Sequence, residues 1–202
     1  MNPGIGGGAG LGFVVTGLVV MGSPGPSTVS LVAVSAAYGV RHAVGYGVGL
    51  VVGTTAVLLA VATGVTAVLL VLPVLRWALL ALAAAYVLWL GVRLAFSSTF
   101  GGRGAAPDRP SVGGGVLLGA LNPKAWVAIG AVFLSSRLAA SPLLDAAVKA
   151  VVLTALIVIV HVGWLTAGWM LEPVIRVPRR ARVVNRALAV VLVLAMIPVL
   201  LP

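Results

Sequence analysis

The chain contains no cysteine, which excludes a disulfide framework, thiol nucleophiles, thiolate metal sites and iron–sulfur clusters. Acids are nearly absent: Asp108, Asp145 and Glu172 are the only 3, against 13 Lys and Arg. Histidine is limited to His42 and His161, too little for a metal centre built on imidazoles or clustered carboxylates. Charged residues make up 8% of the 202 positions, while 61% are hydrophobic and the mean hydropathy is +1.23. No soluble domain needs that composition to build one core, so a water-soluble globule is excluded. The formal charge of +10 does not point to nucleic acid either, because the basic residues sit between apolar runs rather than on a solvated polar face. The expected surrounding is a lipid bilayer.

A membrane-spanning helix needs about 20 mostly apolar residues, since lipid leaves every backbone amide to be satisfied within its own segment. Six stretches qualify: 11–37, 44–72, 74–96, 112–136, 146–171 and 183–201. The sixth is short. Only 187–201 is uncharged, about 22 Å at ~1.5 Å per residue, so Arg186 has to snorkel and a five-span alternative stays open. The first span lacks a basic leader and is expected to be retained. Residues 97–111 form a Gly/Pro/Ser-rich linker that divides the chain nearly in half. In the six-span arrangement the connections after spans one, three and five carry nine arginines: Arg41, Arg93, Arg103, Arg109, Arg176, Arg179, Arg180, Arg182 and Arg186. The opposite side carries three basic residues, Arg76, Arg137 and Lys149, so both termini are expected outside the cytoplasm. The arginines of 176–186 alternatively offer a surface for anionic lipid headgroups. Tyr38, Tyr46, Trp77, Tyr86, Trp89 and Trp169 lie near span ends, as interfacial aromatics do, whereas Trp126 and Trp164 fall deeper and are expected to pack.

Spans one and four are the ones interrupted by proline, at Gly22-Ser23-Pro24-Gly25-Pro26 and at Asn122-Pro123-Lys124, and Pro24 and Pro123 are 99 residues apart. That offset carries span two onto span five and, less cleanly, span three onto span six. The chain therefore reads as an all-α polytopic membrane protein, a single transporter domain over 1–202. Its two inverted three-helix repeats are 11–96 and 112–202, and helices one and four are broken. Broken helices in paired repeats form substrate sites near the midplane of many carriers; simple proline kinks are the alternative. A break frees carbonyls on one side and presents amides at the start of the next half-helix, where an anionic group is stabilised. Ser23, Ser27, Thr28 and Ser30 add hydroxyls at the first break, Asn122 adds an amide at the second, and Thr54 and Thr55 join them if span two packs on span one. Gly45, Gly49 and Gly53, with Gly115 and Gly119 in span four, permit close backbone approach, either within the chain or as a seam of a homo-oligomer.

Lys124 is the one basic residue expected at bilayer depth. An ammonium there costs roughly 2.5–3.5 kcal/mol on insertion scales and needs a partner. The three acids all lie at or beyond span ends. Lys124 is therefore a neutral amine, a snorkelling cation, or a cation awaiting an anionic substrate group. His161, mid-span in the fifth segment, suits a proton relay or a neutral hydrogen bond to a neighbouring helix.

With Gly22-Ser-Pro-Gly-Pro26, the glycines at 45, 49 and 53, Tyr86-Val-Leu-Trp-Leu-Gly91 and Gly119-Ala-Leu-Asn-Pro-Lys-Ala125, the chain resembles the LysE/RhtB family of amino-acid exporters over essentially its whole length. The resemblance implies a multi-pass efflux carrier of the bacterial inner membrane, driven by protons or membrane potential, with no enzymatic activity and no cofactor. The two breaks and the residues around them give the expected substrate site, Ser23, Pro24, Gly25, Pro26, Ser27, Thr54, Asn122, Pro123 and Lys124, with His161 as the coupling candidate and no metal. Ser27 and Thr54 stand where many members carry acids or amides, which favours a neutral amino acid or other small zwitterion over a cationic one. Three readings compete: a divalent-metal exporter of the same superfamily, a non-transporting structural component, and an intramembrane hydrolase pairing Ser23 or Ser27 with His161. The last lacks the Gly-x-Ser-x-Gly elbow.

Overall fold

A computed structural model describes residues 7–64, 81, 84–85, 88–89, 92, 111–175 and 177–194. Among the described residues the regular elements are helices: α1 (Gly7–Gly22), α2 (Pro26–Tyr38), α3 (Val40–Ala62), α4 (Val112–Leu121), α5 (Pro123–Leu134), α6 (Pro142–Ile175) and α7 (Pro178–Leu194). Two of them, α3 and α6, are long and apolar enough to cross a membrane alone; α1 with α2, and α4 with α5, make two further candidates as bent pairs. The chain is thus an all-helical, multi-pass membrane protein. Expected span three (74–96) lies outside the described residues except for isolated helical positions. So do linker residues 97–110, Arg76, Trp77, Tyr86, Asp108, Arg176 and the end of span six beyond Leu194.

The two bends fall where proline removes backbone donors. Between α1 and α2 the axis turns by 61°, and between α4 and α5 by 57°. Gly25 precedes α2 in an extended conformation, and Pro26 occupies the first turn, where its missing N–H is one of the orphans anyway. Asn122 plays the equivalent part before α5, its side chain accepting from the Lys124 amide, with Pro123 next in line. Gly39, at φ 76°, lets the chain turn from α2 into α3, a left-handed conformation that favours glycine.

Packing crosses the midpoint of the chain. α3 lies against α4 and α5, while α6, about 51 Å long at ~1.5 Å per residue, lies against α1 and α2. Each half thus lays its long helix along the other half's broken pair. The glycines of spans two and four meet one another rather than span one or a second copy. A methyl on Gly119 would stand 2.6 Å from the Leu50 carbonyl oxygen and 2.9 Å from the Thr54 nitrogen, and Gly49, Gly53 and Gly115 are equally hemmed in by backbone. The seam is intramolecular.

Two apolar cores result. One gathers Val29, Leu31, Val34, Tyr46, Leu50 and Leu118 from α2, α3 and α4. The other gathers Phe13, Val57, Leu58, Ile129, Val132, Leu153 and Ile157 from α1, α3, α5 and α6. α1 and α5 belong to one core, α2 and α4 to the other, so both breaks fall on the boundary. Two side chains depart from expectation here. Tyr46 is not interfacial; it is 1% exposed and donates from its hydroxyl to Ser30 Oγ at 3.1 Å. Lys149, counted as an orienting charge, is not free: it is buried in α6, paired with Asp145 at 2.7 Å and set over the Phe133 ring. Asp145 also accepts from the Leu138 and Ala139 amides, which ties the loop before α6 to its first turn.

Candidate functional site

The first break leaves carbonyls without helical donors, and almost all of them are answered. Pro24 has no N–H for the Val20 carbonyl, and Ser23 Oγ donates to it at 2.8 Å. Pro26 has none for Gly22, whose carbonyl accepts instead from Trp164 Nε1 on α6 at 3.1 Å. The Ser23 carbonyl and, at 3.3 Å, the Pro24 carbonyl accept from Lys124 Nζ. Thr28 Oγ1 closes the α2 end, taking the Gly25 amide at 2.8 Å and donating to the Gly25 carbonyl. At the second break the Lys124 amide turns to Asn122 Oδ1 at 3.1 Å, and the Ala120 carbonyl takes Trp126 Nε1 at 2.8 Å instead. The deep tryptophans therefore repair backbone as well as pack. The sequence signals only the first: Pro26 leaves the Gly22 carbonyl needing a foreign donor, whereas the Ala120 carbonyl is freed because the Lys124 amide turns to the Asn122 cap.

Asn122 joins the two breaks. Its Nδ2 donates to Ser27 Oγ at 2.7 Å while its Oδ1 caps α5. Among the described residues no acid pairs with Lys124. Its partners are carbonyls at the C-terminal, partially negative end of α1, and its stem passes directly over Gly25, where a Cβ would lie 2.5 Å from Lys124 Cδ.

Between the breaks lies a cavity of about 40 Å³, lined by Met21, Gly25, Ser27, Thr28, Thr54, Asn122, Lys124, Ala125, Ala128, Ile129, Ile157, Val160 and His161. Of the residues singled out from sequence, Gly25, Ser27, Thr54, Asn122, Lys124 and His161 line it. Ser23, Pro24, Pro26 and Pro123 instead shape the breaks. Among the described residues no carboxylate lines the cavity. His161 Nδ1 lies 2.7 Å from the Ile157 carbonyl, which can only accept, so the neutral ring carries its proton there and presents Nε2 as an acceptor. That Nε2 and Thr54 Oγ1 are buried without a partner, as is Thr55 Oγ1 outside the cavity. Buried polar atoms are rarely left so, and two of these belong to residues that line one cavity.

A family profile described as LysE type translocator matches residues 18–200. The chain belongs to this family. No curated protein and no solved structure matches it. LysE-type translocators are a family of transporters, and the family points to export of amino acids or similar substrates. The serine-hydrolase geometry does not form in this translocator: Ser23 Oγ bonds Val20, Ser27 Oγ bonds Asn122, and His161 Nε2 touches neither. Among the described residues no three His, Asp or Glu side chains gather as a metal site would require.

Proposed function

We propose that this translocator exports a neutral amino acid or similarly small zwitterion across the bacterial inner membrane. The observation that carries the reading is the acid-free cavity between the breaks, with a cation on one side and unpartnered acceptors on another. The substrate carboxylate meets Lys124 and the first turn of α2 at Ser27 and Thr28, where the helix dipole favours negative charge. The ammonium meets His161 Nε2 and Thr54 Oγ1. The carbonyls of Ser23 and Pro24 already hold Lys124. A lysine or arginine side chain finds no buried acid to pair with. A divalent cation finds one imidazole and no carboxylate.

His161 is the coupling candidate, being, among the described residues, the only titratable side chain besides Lys124 on the cavity wall. Alternating exposure proceeds by rocking of two inverted repeats, 11–96 and 112–202, a pattern supported by the reciprocal packing of each long helix on the other half's broken pair. Metabolite profiling of medium from overexpressing cells is expected to show one or a few neutral amino acids in excess. Export is expected to collapse in Lys124→Ala and Pro24→Ala. Wild-type export by both variants removes the site, and accumulation of lysine or arginine instead removes the substrate class.

A further inference from the structure

In carriers with discontinuous helices, carbonyls freed at a break coordinate a coupling cation that binds and leaves. Here the equivalent carbonyls are occupied by the chain itself. Lys124 Nζ donates to the Ser23 and Pro24 carbonyls from the other half of the sequence, at the partially negative end of α1. Two further features hold it there. Asn122 bonds both Ser27 Oγ and the Lys124 amide, fixing the register between the half-helices that carry the cation and its acceptors. Gly25 leaves an open face that the lysine stem fills; its own φ of −165° is ordinary extended backbone, so the absent side chain is what matters there. We propose that Lys124 is a tethered cation standing in the place of a dissociable alkali ion, and that this break takes up neither Na⁺ nor K⁺ during transport. The proposal rests on the carrier reading but concerns how its first break is charged. An absence of export in the efflux assay counts against that reading alone.

The test needs no known substrate. Full-length protein is purified in detergent and its thermal midpoint followed at constant ionic strength. In Lys124→Ala, methylammonium supplies the lost N–H donors and charge. In about five-fold excess over its dissociation constant it is expected to raise the midpoint by about 2–4 °C. Tetramethylammonium, with no N–H, is expected to do nothing, and the wild type is expected to be indifferent to both. If the alanine variant does not fold, Lys124→Met retains the stem and leaves room for the tip alone, and ammonium is the probe with the same expected rise. Three results overturn the proposal: variants that ignore the N–H-bearing cations, variants that respond equally to tetramethylammonium, and a wild type stabilised by Na⁺ over N-methylglucamine.

Discussion

Lys124 and Gly25 act as one unit. A methyl at position 25 meets the middle of the lysine stem at 2.5 Å and its Nζ at 3.2 Å, so Gly25→Ala displaces the amine from its carbonyls without altering the lysine. Gly25→Ala is expected to reduce export in the same direction as Lys124→Ala, and the double variant to be no worse than the lysine variant alone. A double-mutant cycle measured by efflux checks it, since additive losses are what independent sites show. Trp164 acts through a single N–H. Trp164→Phe keeps most of the ring and leaves the Gly22 carbonyl orphaned. The expected cost is about 1–3 kcal/mol, read as a fall in thermal midpoint of about 2–4 °C for each kcal/mol in a chain of this size. A midpoint unchanged in Trp164→Phe means water or lipid serves that carbonyl equally well.

Helix pairs meet with very different tolerance. On the α3–α4 seam a new methyl runs into backbone, which cannot rotate away: at Gly119 it meets Leu50 and Thr54, and at Gly53 it meets Val116 and Ala120. Gly119→Ala and Gly53→Ala are each expected to cost about 1–3 kcal/mol or more by forcing the helices apart. Gly130 on α5 has nothing within 4 Å of such a methyl, and Gly130→Ala is expected to gain about 0.5–1 kcal/mol from lost chain entropy. Thermal midpoints of the three variants in one detergent rank them, and an equal loss at position 130 refutes the seam. The glycine spacing was legible in each helix, but spacing on one helix does not name the helix it faces. Hence span two was paired in expectation with span one rather than span four. The breaks were legible because proline removes a donor whatever the surroundings. Lys149 was counted as an orienting charge without its partner although Asp145 lies one helical turn before it, a spacing that already allows an ion pair. The tryptophan repairs and the Tyr46–Ser30 contact depend on tertiary approach and have no local signature beyond the orphan carbonyls themselves.

Across the molecule, the cavity and the charge distribution constrain how the translocator works. About 40 Å³ holds roughly three waters by the usual requirement of ~10–15 Å³ each, so the proposed substrate requires the elements around the breaks to move apart. Such movement is feasible because the two apolar cores are joined through a polar layer of few, specific hydrogen bonds rather than one continuous packed interior. The arginines set the expectation for which side faces the cytoplasm. Arg179, Arg180, Arg182 and Arg186 are exposed on α7, whereas Lys149, on the opposing count, is neutralised within α6 by Asp145. Removing it strengthens the expected bias, with the α6–α7 connection inside and both termini outside. The absence of native cysteine makes a direct test clean. Ser141 and Val177 are exposed at opposite ends of α6, a helix long enough to cross the bilayer. Ser141→Cys is expected to react with a membrane-impermeant maleimide in intact cells, and Val177→Cys only after permeabilisation. The reverse pattern inverts the orientation, and labelling of both in intact cells means that α6 does not cross the membrane.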